Sequence, residues 1–86
     1  MVISEAAKTK IKELLQQNNA SLLKIQLAGN TTTGHQTILT FEQSLPKEFI
    51  TITTEPRIVA DPVSYTKLAN SLFDFDEETN ELKFQL

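Results

Sequence analysis

Apolar residues open this sequence in a helical rhythm and then change mostly to a period of two. Ala7, Ile11, Leu14 and Leu15 recur at helical spacing, while Lys8, Lys10, Lys12 and Glu13 fall mostly on the other side. That pattern predicts one amphipathic helix packed by a single stripe. Ser4 is placed to cap it, and Glu5 brings negative charge to the positive end of the helix dipole. Asn18-Asn19 favour a turn, so the helix should end near Gln17. From there Leu23, Ile25 and Leu27 alternate with Lys24 and Gln26, and Thr37, Leu39 and Phe41 alternate with Ile38 and Thr40. Each set reads as a half-buried strand. Between them lies Gly29–His35, which holds both glycines of the chain and is expected to be a turn or exposed loop.

The second half continues in the same period. Glu42–Glu48 is polar, contains Pro46 and serves as a connection. Phe49–Thr53 and Ile58–Ala60 flank Thr54-Glu55-Pro56-Arg57, and the three pieces read as a hairpin around a tight turn. Asp61-Pro62 is a strong helix start, with Asp as cap and Pro at the first helical position. Tyr65, Leu68 and Ala69 are expected to form the apolar face of that short helix. Leu72–Phe75 and Leu82–Leu86 enclose a charged turn, Asp76–Asn80, and predict a terminal hairpin. One N-terminal helix, one short helix and mostly antiparallel strands define an α+β class, with the helices on one face or end.

Eighty-six residues suffice for one domain, 1–86, and not for two. A net charge of −3 without a basic run argues against nucleic acid, which needs a basic face against its phosphates. No apolar run approaches a membrane span. The start, Met1-Val2-Ile3-Ser4-Glu5, lacks the charge and apolar pattern of a secretory signal. A cytoplasmic protein with no membrane partner is therefore expected. There is no cysteine, hence no disulfide and no thiolate ligand.

The candidates for chemistry are few. Thr31, Thr32, Thr33, Gly34 and His35 form the candidate interaction loop, where hydroxyls could meet a partner or simply keep a surface loop polar. His35 is the only histidine. Metal binding needs several donors, so His35 would require carboxylates or a second copy of the chain beside it. Asp74, Asp76, Glu77, Glu78 and Glu81 form the densest acidic cluster. They lack the spacing and glycine of a calcium loop, and a solvated hairpin turn explains them. No nucleophile elbow, phosphate loop or dinucleotide fingerprint is present. The chain is expected not to be an enzyme and to use no cofactor.

Three stretches together resemble the A-type iron–sulfur cluster biogenesis proteins, the IscA/HesB-like family. Val2-Ile3-Ser4-Glu5-Ala6-Ala7 leading to Ile11-Lys12-Glu13-Leu14-Leu15 is similar to the family's first helix. Ile25–Phe41 is similar to its strand–loop–strand, and Ile58-Val59-Ala60-Asp61-Pro62-Val63-Ser64 to its Asp-Pro segment. Phe73-Asp74-Phe75 and Leu82-Lys83-Phe84 look like its C-terminal hairpin. The resemblance implies a HesB-like domain with its strands in a small sandwich-like arrangement. It also implies three cysteine ligands for iron or an iron–sulfur cluster, often shared within a dimer or tetramer. The first would sit in a Gly-Cys-Ser-Gly-like run where this chain has Thr31-Thr32-Thr33-Gly34, which puts Thr32 in the cysteine's place. The other two would follow the last hairpin, beyond Leu86. A threonine hydroxyl is a hard, neutral donor and cannot stand in for thiolate. The resemblance thus implies a non-catalytic accessory or interaction protein whose partners are proteins of iron–sulfur assembly, and homo-oligomers are compatible with it. Two alternatives are a small module reusing the fold for an unrelated ligand and a weak metal binder through His35.

Overall fold

The computed structural model describes residues 1–31 and 34–85, with residues 28–31 and 34–36 described in backbone only. In chain order the elements are β1 (Val2–Ile3), α1 (Glu5–Gln17), β2 (Leu22–Thr31), β3 (Gly34–Glu42), β4 (Ile50–Thr54) and β5 (Arg57–Ala60), then α2 (Pro62–Lys67), β6 (Leu72–Asp76) and β7 (Glu81–Gln85). Both helices start where the sequence places them. The Ser4 hydroxyl accepts the Ala7 N–H at 3.1 Å at the head of α1, and the Asp61 carboxylate accepts the Ser64 N–H at 3.1 Å at the head of α2. The α1 end is closed by two reversed bonds, Ala20 N–H to Leu15 C=O at 2.9 Å and Asn19 N–H to Gln16 C=O at 3.2 Å. These form a Schellman cap that needs a left-handed residue, and Asn19 supplies it with φ 51°.

The strands form two mixed sheets, one ordered β3-β2-β5-β4 and the other β1-β6-β7. Both expected hairpins are present, β4 with β5 and β6 with β7, and β2 pairs antiparallel with β3 as well. Two parallel pairings join them. Leu23, Lys24 and Ile25 of β2 lie opposite Ile58, Val59 and Ala60 of β5, and Val2 and Ile3 lie opposite Leu72 and Phe73. β1 is not among the expected strands, because two residues are too few to show a period. Its place is fixed from outside, by the Val2 N–H on Ser71 C=O and the Ser4 N–H on Phe73 C=O, each at 3.0 Å.

Alternation then sorts the side chains. Leu23, Ile25, Ile58 and Ala60 face inward from the four-stranded sheet and meet Ile11 and Leu15 of α1, Leu68 after α2, and Phe73 of β6. This places the core between the two sheets, with α1 closing it. Phe73 is fully buried and stacks on its cross-strand partner Phe84, ring centroids 4.2 Å apart. On the opposite face of the larger sheet, Leu22 and Val59 are also buried. The 43–49 connection joins β3 to β4, the two outer strands of that sheet. The Lys24 ammonium, paired with Glu42 at 3.2 Å, lies 5.8 Å from the centroid of Phe49 near the end of this connection.

The expected apolar face of α2 is corrected by the structure. Tyr65 and Ala69 are exposed, while Ser64 and Leu68 are buried. Position 64 faces inward because its hydroxyl is fully partnered, so burial costs it no lost hydrogen bond.

Truncating Phe73 empties the centre of this core and removes the stack on Phe84. Phe73→Ala is expected to cost about 3–5 kcal/mol, a large share of the roughly 4–13 kcal/mol available to a chain of this length. Urea unfolding followed by far-UV circular dichroism checks this, with Phe84→Leu expected to be clearly milder.

Candidate functional site

The segment expected as a loop is largely strand. β2 continues through Thr31 and β3 begins at Gly34, so Thr31 and Gly34 face each other as register partners, with an irregularity between Ala28 and Thr31. Threonine is a good strand former, and polarity alone does not stop a ladder whose outer edge is solvated. Thr32 and Thr33 lie outside the described residues, and so do the side chains of Thr31 and His35. The expectations placed on their hydroxyls and imidazole fall there.

The Asp-Pro segment builds the best-defined polar cluster. β5 leaves β2 after Ala60, opposite Ile25, so Leu27 has no partner strand on that side. The Ser64 hydroxyl takes its place: it accepts the Leu27 N–H at 2.9 Å and donates to the Asp61 carboxylate at 2.5 Å. Asp61 thus caps α2 and orients the serine that ties α2 to β2. Partial burial pushes the Asp61 carboxyl upward, but the Ser64 hydroxyl and N–H, together with the N–H groups of Asp61 and Val63, outweigh it. The carboxyl titrates below the ordinary aspartate range. With every oxygen partnered within the chain, this cluster is structural.

A second serine–aspartate pair fixes α1. The Ser4 hydroxyl donates to the Asp74 carboxylate at 2.5 Å, and the same oxygen accepts the Phe75 N–H at 2.9 Å. Asp74 is thereby tied to the head of α1. Asp76 accepts from the Lys83 ammonium at 3.1 Å and from the Glu78 N–H at 3.0 Å. The lysine hydrogen bond, followed by that N–H, holds its carboxyl below the usual range. Among the described residues no group of three or more His, Asp or Glu stands close enough to hold a metal ion.

Sequence reasoning missed a groove around Phe75. Leu14 of α1, Leu39 and Phe41 of β3, and Phe75 and Leu82 of the terminal hairpin line a surface hollow of about 450 Å³. All five are half-buried. The signal was in the alternation: Phe75 shares a face of β6 with Phe73 but lies one step farther along, where the core has ended.

Removing the Ser64 hydroxyl strands the Leu27 N–H and one lone pair of Asp61. Ser64→Ala is expected to lower stability by about 1–3 kcal/mol in chemical denaturation. Because the folded carboxyl of Asp61 titrates lower than the unfolded one, near 3.9, its contribution is present above that pH and is lost as the pH falls through the folded value. Asp61→Asn should therefore flatten the acid limb of stability against pH, measured as urea midpoints from neutral pH downward.

No family model matches the sequence, and no curated protein matches it. Solved structures do match. IscA with its [2Fe-2S] cluster is 16% identical with a TM-score of 0.76, over 98% of this chain and 82% of that one. A protein from Aquifex aeolicus solved by NMR is 17% identical with a TM-score of 0.69, over 98% and 88%. Escherichia coli SufA, involved in biosynthesis of iron–sulfur clusters, is 14% identical with a TM-score of 0.77, over 98% and 75%. The described residues form two helices and seven strands in two mixed sheets, and the match over 98% of this chain gives it the α+β fold of IscA and SufA.

Proposed function

We propose that the protein is a non-catalytic accessory or interaction protein of iron–sulfur cluster biogenesis, a single HesB/IscA-like domain that works in the cytoplasm without a cluster of its own. The observation that carries this reading is a fold matching a cluster-bearing protein across 98% of the chain in a sequence with no cysteine. The donor set does not fit the group. Iron–sulfur clusters are held by soft, anionic sulfur, and the 86 residues offer hydroxyl, carboxylate, amide, amine, guanidinium, thioether and one imidazole but no thiol. What such a chain keeps is the shape of a cluster protein, and shape is what a partner recognises. No helix of the described residues is long and apolar enough to cross a membrane, in keeping with work in solution.

Anaerobic reconstitution with ferrous iron and sulfide is expected to leave no stoichiometric iron or acid-labile sulfide on the desalted protein. Affinity capture from extracts of the native cell should enrich proteins of iron–sulfur assembly or their apo-targets. A stable cluster at full occupancy would overturn the first half of the reading, and capture of none of those proteins the second.

A further inference from the structure

The groove around Phe75 is an apolar floor set in the most acidic part of the surface. Two further hollows adjoin it through the same ring. Together the three are lined by seven of the chain's eleven carboxylates but by only two of its eight basic side chains. Glu5 and Glu13 stand on α1, and the other five fall between Asp74 and Glu81 on the terminal hairpin. Both bases are already engaged: Lys83 on Asp76 at 3.1 Å, and Lys10 on Glu13 at 3.8 Å. The Lys10 ammonium also lies 5.3 Å from the centroid of Phe75, so this ring already accepts a cation among carboxylates. Glu77, Glu78 and Glu81 are exposed, with no base paired to them among the described ion pairs.

We infer that this groove docks a basic segment of a partner protein, which lays an aliphatic or aromatic anchor on the Phe75–Leu82 floor and sets lysine or arginine against the glutamate rim. Charge complementarity selects that occupant. A symmetric pair of this chain joined through the groove would set the acidic rim against itself, an arrangement that like charges oppose. The six remaining bases are spread over α1, β2, the 43–49 connection, β5 and α2. The inference deepens the reading of the protein as an interaction module. Its test contains no iron and no cell extract, so its failure leaves the cluster experiments standing and theirs leaves it standing.

The probe is a short amphipathic peptide of lysine and leucine, titrated into ¹⁵N-labelled protein, with a glutamate–leucine peptide of the same pattern as control. Binding of the basic peptide should shift amides of Leu14, Leu39, Phe75 and Leu82, weaken as salt is added, and be absent for the acidic peptide. Glu77→Lys combined with Glu81→Lys, both at exposed positions, should lower affinity by roughly tenfold, about 1.4 kcal/mol. Glu55→Lys in the distant β4–β5 turn should leave it unchanged. Shifts scattered over the whole surface, equal binding of the acidic peptide, or an affinity indifferent to the double reversal would overturn the inference. So would sedimentation showing that the free protein already self-associates through these residues.

Discussion

β2 is flanked on both sides for only part of its length, and the hydroxyl that completes it is the hinge of the design. Beyond Ile25 the strand has lost β5, yet its next inward N–H, at Leu27, is held by Ser64. That bond sets the distance of α2 from the sheet, and α2 leads directly to Leu68 and the start of β6. The same chemistry recurs at the other helix, where Ser4 caps α1 and grips Asp74 on β6. Each helix is therefore pinned at its N-terminus, one to each sheet, by a serine–aspartate pair. Neutral hydroxyls placed between a backbone donor and a carboxylate carry the orientation, while the aliphatic core between the sheets carries the stability.

This division needs no sulfur ligand anywhere in the chain. The described core is aliphatic and aromatic, and both helix caps rest on hydroxyl and carboxylate oxygens.

What could be read from residues alone follows the strength of the local signal. The cap at Ser4, the turn at Asn18-Asn19 and the Asp61-Pro62 start each rest on side-chain chemistry confined to a few neighbours, and each stands in the structure. The two parallel pairings rest on partners 35 or 70 positions away and leave no periodic mark. Tyr65 looked inward because it is apolar. Ser64 turned inward instead because two distant groups, Leu27 and Asp61, saturate its hydroxyl. The groove went unseen for a related reason: Leu14, Phe41 and Phe75 all read as ordinary core positions, and only assembly shows that the space between them stays open. Gly29–Thr31 and Gly34-His35 read as loop because the two glycines were weighed above the pairing that carries β2 and β3 through these positions.

Val2, Leu72 and Gln85 stand in one row across the smaller sheet. β1 runs with β6 and β7 runs against it, so the backbone enters and leaves on the same side, two interstrand spacings of about 4.8 Å apart. A bridge of a few flexible residues from Gln85 to Val2 would close residues 2–85 into a ring. The opening could then be moved to the Glu55 turn or the Glu77–Asn80 turn without disturbing either serine–aspartate clasp.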